Sequence, residues 1–309
     1  MKAMQINPSS QGPKLIAAEI PKPQPQRDEV LIRVFADGVT PTELLWYPTT
    51  HLKDGSARTG AVPGHEFSGV IAALGENNTD FHVGDEVYGM NDWFVDGATA
   101  EYCITTPQSI APKPATLSHA AAAATPIGAL TAWQGLLVRA RIQPGERVLV
   151  HGGAGAVGLF AIQLARLHGA HVITTVSERH RDLVKQLGAE EAIDYKTTPF
   201  EKVVKDIDVV FDAVGGDTLE RSWSVLKPGG RMVTIAADSE ATVDQRVKDA
   251  FFIVEPNHEL LVEVQRLLDD GRLKAFIKAT VPLDDAAAAY AGTYKSDRGF
   301  GKVVISISA

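Results

Sequence analysis

Between residues 146 and 177 the apolar positions change period twice. Val148–Val150 is a short apolar, β-branched run, the pattern of a buried strand. Leu159, Ile162 and Ala165 then recur at helical spacing, and Gly169 ends that segment. His171–Val176 is again strand-like. Between the first strand and the helix lie Gly153, Gly155 and Gly158, in G-x-G-x-x-G spacing around Ala156 and Val157. The stretch therefore predicts a strand, a tight glycine turn, a helix and a second strand.

The flanking regions differ in pattern. Residues 1–115 carry short apolar runs (Val30–Phe35, Gly69–Leu74, Glu86–Met90, Glu101–Thr105) broken by Pro, Gly and Asp. They predict a mostly antiparallel domain without a long helix. Near Pro112–Pro114 the character changes. Ser118 is placed to cap a helix through Ala120–Ala124, Pro126–Gly128 is expected to interrupt it, and Leu130, Trp133, Leu136 and Leu137 resume it. From there strands and helices alternate: a helix over 180–187, strands at 192–194 and 208–213, a helix over 218–226 stopped by Pro228-Gly229-Gly230, and a strand at 231–236. That alternation predicts a parallel sheet, with ligand at the carboxyl ends of its strands. Residues 258–270 form an amphipathic helix, and the terminal strand 301–307 is expected to return to the first domain. The expected domains are 1–117 with 257–309, and 118–256.

Length and composition narrow the function. A chain of 309 residues suits about two domains with ample core. A net charge of −8 and no basic cluster argue against a nucleic-acid partner. Cys103 is the only cysteine, so no internal disulfide forms, and it reads as an inert buried thiol. No signal-peptide pattern and no apolar run long enough to span a bilayer is visible. The expectation is a cytoplasmic protein without a membrane partner.

The glycine turn carries the first chemistry. Its first glycine permits the tight turn, its second lets the backbone approach a pyrophosphate, and its third allows helix to pack on strand. The helix N-terminus offers free N–H groups and a positive dipole end to phosphates. A glycine turn that binds nothing is the plainer alternative; the strand–helix–strand context argues against it. An NAD site usually puts a carboxylate at the end of the second strand, about 20 residues past the glycines. Here that position is Ser177, followed by Glu178, Arg179 and Arg181. A ribose phosphate calls for a hydroxyl donor and a guanidinium fork, which Ser177 and Arg179 supply. Glu178 is the dissenting residue, since turned inward it would repel a phosphate.

Several segments in this order resemble the medium-chain dehydrogenase/reductase superfamily. They are P-G-H-E-F-S-G (63–69), V-G-D-E-V-Y-G (83–89), A-E-Y (100–102), G-A-L-T-A-W (128–133), P-G-E-R-V-L-V-H-G-G-A-G-A-V-G (144–158), L-G-A-E-E-A-I-D-Y (187–195), D-V-V-F-D-A-V-G-G (208–216), K-P-G-G-R (227–231) and G-K-V-V (301–304). The branch they are most similar to is that of the zinc-free, zeta-crystallin-like quinone oxidoreductases and enone reductases. The resemblance implies an α/β chain: a GroES-like β-rich catalytic domain plus a Rossmann domain with a doubly wound parallel sheet. It implies an active site in the cleft between the two, and a homodimer joined through the Rossmann sheets, with an edge strand near 231–236 or 250–254. It implies NADP(H) as cofactor, with Tyr195 joining Ser177 and the nearby cation. Thr131 matches a position near the nicotinamide, and Phe251 and Phe252 match a stretch that closes over it. Val214, Gly215 and Ala236, at strand carboxyl ends, are expected to border the cofactor.

Metal and substrate are the remaining questions. Alcohol dehydrogenases of the superfamily hold a catalytic zinc, with a cysteine in an early C-G-x-D-like segment and a histidine in G-H-E. Here that segment reads Gly38-Val39-Thr40-Pro41-Thr42-Glu43, without cysteine. Glu43, His65 and Glu66 could still supply three ligands, but the expectation is no metal, because thiolate ligation is gone. Without a Lewis acid the hydride acceptor must already be electron-poor, as quinones and α,β-unsaturated carbonyls are. Thr40 stands where this branch commonly has an asparagine, and with Tyr47 and Trp46 is expected to line the substrate pocket. A zinc-dependent alcohol dehydrogenase and a non-catalytic NADPH-binding protein remain the alternatives.

Overall fold

A computed structural model describes residues 1–7, 12–77, 81–294 and 299–307. They form two compact units, 1–127 with 255–309, and 128–254. In the first, β1 (Lys2–Asn7) and β2 (Lys14–Glu19) make an antiparallel pair. β3 (Val30–Gly38), the short helix α1 (Tyr47–Thr50), β4 (Glu66–Leu74), β5 (Glu86–Met90), β6 (Tyr102–Thr105) and β7 (Ile110–Pro112) follow. β3 is buried along nearly its whole length, because it pairs with β4 and β6 inside the sheet. Its Val30, Ile32 and Val34 meet Phe67, Ile71, Val87 and Cys103 in one core. Helix α2 (His119–Ala123) is capped by Ser118, whose Oγ accepts from Ala121 N at 3.3 Å. It packs on β3 and β4, so the compact unit runs on to Ile127 rather than stopping at 117.

The expected break is present: α2 ends at Ala123, and a new helix, α3 (Pro126–Trp133), begins at Pro126, since a proline in the first turn has no amide that needs a partner. The helix continues as a π-helical segment over Gln134–Arg139. The run His119–Arg139 is, by length and composition, apolar enough to cross a membrane, which the sequence reading did not anticipate. With 72% of that window buried, it has the character of a core helix.

The second unit holds β8 (Arg147–His151), α4 (Gly158–Leu167), β9 (His171–Val176), α5 (Arg181–Gln186), β10 (Glu191–Asp194), β11 (Ile207–Asp212), α6 (Gly216–Ser222), β12 (Leu226–Thr234) and α7 (Gln245–Ala250). Its strands form one parallel sheet in the order β10-β9-β8-β11-β12. The chain winds outward from β8 on one side, then returns to wind outward on the other. β8 is thus the switch point, where such sheets open a crevice. β12 begins earlier than expected and takes in Pro228–Gly230. Its register jumps from Ile207↔Leu226 to Val209↔Arg231, so Pro228–Gly230, expected to stop the preceding helix, bulges within the strand, and that helix ends earlier, at Ser222.

The chain then rejoins the first unit through α8 (His258–Asp269), β13 (Ile277–Pro282), α9 (Ala286–Tyr290) and β14 (Lys302–Ser306). α8 buries Leu261, Val264, Leu267 and Leu268. β14 pairs antiparallel with β3 and parallel with β13, completing a seven-stranded sheet.

Candidate functional site

In the second unit the glycine turn leaves β8 at its carboxyl end. Gly152 is in the left-handed region (φ 77°), where a side chain would be strained. A Cβ on Gly153 would collide with Thr174 Oγ1, and one on Gly158 with the Gly152 carbonyl. Gly155 has only the Gly152 carbonyl near, 3.2 Å from a hypothetical Cβ, so its missing side chain leaves space rather than relieving a clash. Ala156 and Val157 complete the turn, and α4 starts at Gly158 with no side chain capping its amides. Leu159 N is bonded to Gly155 O at 3.1 Å, and the uncapped, positive end of this ten-residue helix, beside open space, suits a pyrophosphate. Gly128 in α3 approaches this turn, since a Cβ there would lie 2.8 Å from Ala156 O. Thr131, one turn on, is buried.

The ends of β9 and β10 stand side by side. Tyr195 N donates to Val176 O at 3.3 Å, which sets Tyr195 beside Ser177. Ser177 is buried with its Oγ 3.5 Å from His180 Nδ1, and Tyr195 is 59% exposed. Glu178 is drawn to Arg181 at 2.9 Å, so the dissenting carboxylate is already paired. Arg179 is exposed and has no ion pair among the described residues. Ser177 and Tyr195 thus stand at neighbouring strand ends, Arg179 is two residues beyond Ser177, and Arg181 is occupied in holding Glu178.

Asp212, at the end of β11, is a residue the sequence reading passed over. Its carboxylate accepts from Val214 N at 3.1 Å, Gly215 N at 3.1 Å and Thr234 Oγ1 at 2.8 Å. Burial raises its pKa above the ordinary carboxylate range, while these donors oppose the rise. The result is a pinned turn that leaves Val214 exposed and Gly215 at φ 79°, with Ala236 buried at the neighbouring strand end. The aspartate in D-A-V-G-G was the available signal. Phe251 bridges Thr234 at the sheet edge and is half-buried. Phe252 is buried, its ring near the backbone of Gly135 with the Arg139 guanidinium 4.9 Å from its centre.

The first unit gathers a buried polar cluster. His65 Nδ1 lies 2.5 Å from Glu43 Oε2, and its Nε2 faces Val95 O at 3.2 Å. Glu43 Oε1 accepts from Tyr290 OH at 2.6 Å and Gly64 N at 3.2 Å. Thr99 Oγ1 donates to Asp37 Oδ2 at 2.6 Å. Burial drives the Asp37 carboxyl well above its usual range, helped by Glu43 and Glu66. Glu66 pairs with Lys302 and accepts from Ile127 N at 2.9 Å. Burial raises the Glu66 pKa as well, outweighing the Lys302 charge. Asp37, Thr99, Tyr290 and Lys302 were not anticipated, because distant segments bring them together.

These contacts test the metal question. A catalytic zinc site needs three protein ligands and an open position. His65 has both ring nitrogens engaged, Glu43 holds Tyr290 and His65, and Glu66 holds Lys302. Among the described residues no three His, Cys, Asp or Glu side chains converge as metal ligands. This donor set does not fit zinc. Thr40 and Tyr47 lie apart in role: Thr40 Oγ1 accepts from Lys302 Nζ at 2.9 Å, while Tyr47 is half-exposed and stacks on His51 at 4.2 Å. Trp46 meets Trp93 edge-on at 4.5 Å, and Trp93 leans against His65.

The chain was compared with known proteins. Residues 26–115 match the alcohol dehydrogenase GroES-like domain, and residues 187–305 match the zinc-binding dehydrogenase family. The 2-methylene-furan-3-one reductase of Solanum lycopersicum is 33% identical over 94% of this chain and 74% of its own. The chloroplastic NADPH-dependent alkenal/one oxidoreductase of Arabidopsis thaliana is 31% identical over 94% and 75%. The solved structure of the quinone oxidoreductase from Coxiella burnetii superposes with a TM-score of 0.87 at 30% identity, covering 100% of this chain and 99% of that one.

Proposed function

Because the chain belongs to the medium-chain dehydrogenase/reductase superfamily, in its quinone oxidoreductase and enone reductase branch, we propose that it reduces quinones or α,β-unsaturated carbonyls with NADPH and without zinc. It is an oxidoreductase, of a family that uses nicotinamide cofactors. The observation that carries the finer reading is the end of β9, where Ser177 and unpaired Arg179 stand in place of the usual carboxylate and Glu178 is held by Arg181.

Each part of the chain has a role in this reading. The Gly153–Gly158 turn and the α4 amides bind the pyrophosphate. Ser177 and Tyr195 donate to the ribose phosphate, and Arg179 supplies the guanidinium. Asp212 holds the Val214-Gly215 turn against the cofactor's path, and Thr131, Ala236 and Phe251 border it. When bound, NADPH supplies a hydride from nicotinamide C4. Thr40 offers its hydroxyl to the acceptor's carbonyl oxygen, and Tyr47 and Trp46 supply apolar surface. The committed donors Glu43, His65 and Glu66 support a reaction that draws its driving force from an electron-poor acceptor.

The test is NADPH consumption by chelator-treated protein, with 1,4-benzoquinone and cyclohex-2-en-1-one as acceptors and NADH in parallel. Consumption that favours NADPH and survives chelation supports the reading. Activity with a simple alcohol, lost on chelation and restored by added zinc, would replace it with the zinc-dependent alcohol dehydrogenase that the second family description suggests.

A further inference from the structure

We propose that Lys302 turns Thr40 into a hydrogen-bond donor for the carbonyl oxygen of the hydride acceptor, a quinone or an enone whose C=C is reduced; this rests on the reading above and names the group that answers the charge developing on that oxygen as hydride arrives. A threonine hydroxyl has one proton and two lone pairs. Lys302 Nζ donates to Thr40 Oγ1 at 2.9 Å, occupying a lone pair. Among the described residues no protein acceptor takes the Thr40 proton. The hydroxyl therefore accepts from Lys302 with one lone pair and keeps its proton to donate. Lys302 is buried, whereas Thr40 is partly exposed, so solvent or a ligand can reach its hydroxyl.

The ammonium cannot swing away. Glu66 pairs with it from behind, and Glu66 is fixed in turn by Ile127 N. β14 carries Lys302 alongside β3, and Val39 N donates to Val303 O at 2.9 Å just before Thr40. Main-chain pairing thus sets the distance between the two side chains. Hydrogen bonds in a chain polarise one another, and a cation at the head of the chain strengthens the last donor. A fixed donor aimed at developing negative charge acts more strongly as the transition state is reached than in the ground state. Thr40 is the catalytic residue here, and Lys302 the positioning residue that acts through it.

The test compares wild type with Thr40→Val, Thr40→Ser and the double variant Lys302→Met/Glu66→Gln, which removes both buried charges together so that neither is left unpaired. Two measurements are made. One is kcat and KM for cyclohex-2-en-1-one with NADPH, together with NADPH affinity. The other needs no turnover: the infrared carbonyl stretch of 13C-labelled cyclohexanone bound in the presence of NADP+. The expected result is at least a tenfold fall in kcat for Thr40→Val at unchanged NADPH affinity, and rescue by Thr40→Ser. The bound carbonyl stretch is lowered in wild type, less so in the double variant, and not at all in Thr40→Val. Wild-type rates and an unaltered stretch in Thr40→Val overturn the role of Thr40. A stretch in the double variant equal to wild type overturns the role of Lys302, and if that variant does not fold, Lys302→Gln, which removes the charge, is held to the same readout. If wild type consumes no NADPH with the enone or with 1,4-benzoquinone, the reductase reading itself falls and this inference with it, an outcome distinct from both others.

Discussion

His151 Nε2 donates to Ser222 Oγ at 3.0 Å, because the single Ser222 proton is already given to Thr218 O at 2.6 Å. Its Nδ1 lies 2.9 Å from Thr175 Oγ1, which can donate to it when the ring is neutral. The site is fully buried at the end of β8, beneath the glycine turn. Burial lowers the His151 pKa to about 3. An unfolded histidine titrates near 6.5, so the unfolded chain binds a proton that the folded one refuses. The contribution is present above about pH 6.5 and is lost as pH falls toward 3, by about 1.4 kcal/mol per unit. Denaturant unfolding of His151→Gln across pH 7 to 4 is expected to fall less steeply than wild type. Equal slopes would show that His151 is not the group that titrates.

Asp37 has the opposite sign. Burial raises its folded pKa, so its favourable contribution is complete below the unfolded value, near 3.9, and disappears as pH rises through the folded one. Among the described residues its Oδ1 lacks a partner, so the interior favours the neutral carboxyl, and the cost of keeping it there grows as pH rises. Asp37→Asn retains an acceptor for Thr99. Its stability relative to wild type is expected to rise with pH from about 4 upward, by up to about 1.4 kcal/mol per unit. Melting temperatures at matched pH values check this, and a difference that stays constant would refute it.

The glycines of the turn separate folding from binding. In Gly158→Ala the new methyl meets the Gly152 carbonyl, backbone that cannot move aside cheaply. Both thermal stability and nucleotide affinity are expected to drop. In Gly155→Ala the nearest atom is 3.2 Å away, so the melting temperature stays within a few degrees while NADPH affinity falls about tenfold or more. Parallel losses in both variants would mean that Gly155 serves the fold and not a ligand.

Arg179→Ala is expected to weaken NADPH binding by about 1.5–3 kcal/mol, the range for a hydrogen bond to a charged group, with NADH nearly unaffected. Titrations of both cofactors decide it. Equal losses would place the ribose phosphate elsewhere.

The sequence by itself determined the elements that depend on near neighbours. The strand–turn–helix–strand unit around Gly153–Gly158, the amphipathic α8 and the returning C-terminal strand were all legible, because apolar period and glycine spacing are local properties. Ser177 and Arg179 could be singled out for the same reason, as they follow directly on a predictable strand. One local signal misled: Pro228-Gly229-Gly230 marks no element boundary, because an edge strand absorbs it as a bulge.

Tertiary structure alone decided which donors and acceptors meet. Asp37, Glu43, His65, Thr99, Tyr290 and Lys302 come from strands, helical turns and loops far apart in the chain, and no spacing rule links them. Whether Glu43, His65 and Glu66 serve as ligands or are used up by Tyr290 and Lys302 depends on side-chain direction, which β-strand register fixes and sequence pattern does not. Asp212 is the same case within one unit: its role appears only when β12 brings Thr234 to its side.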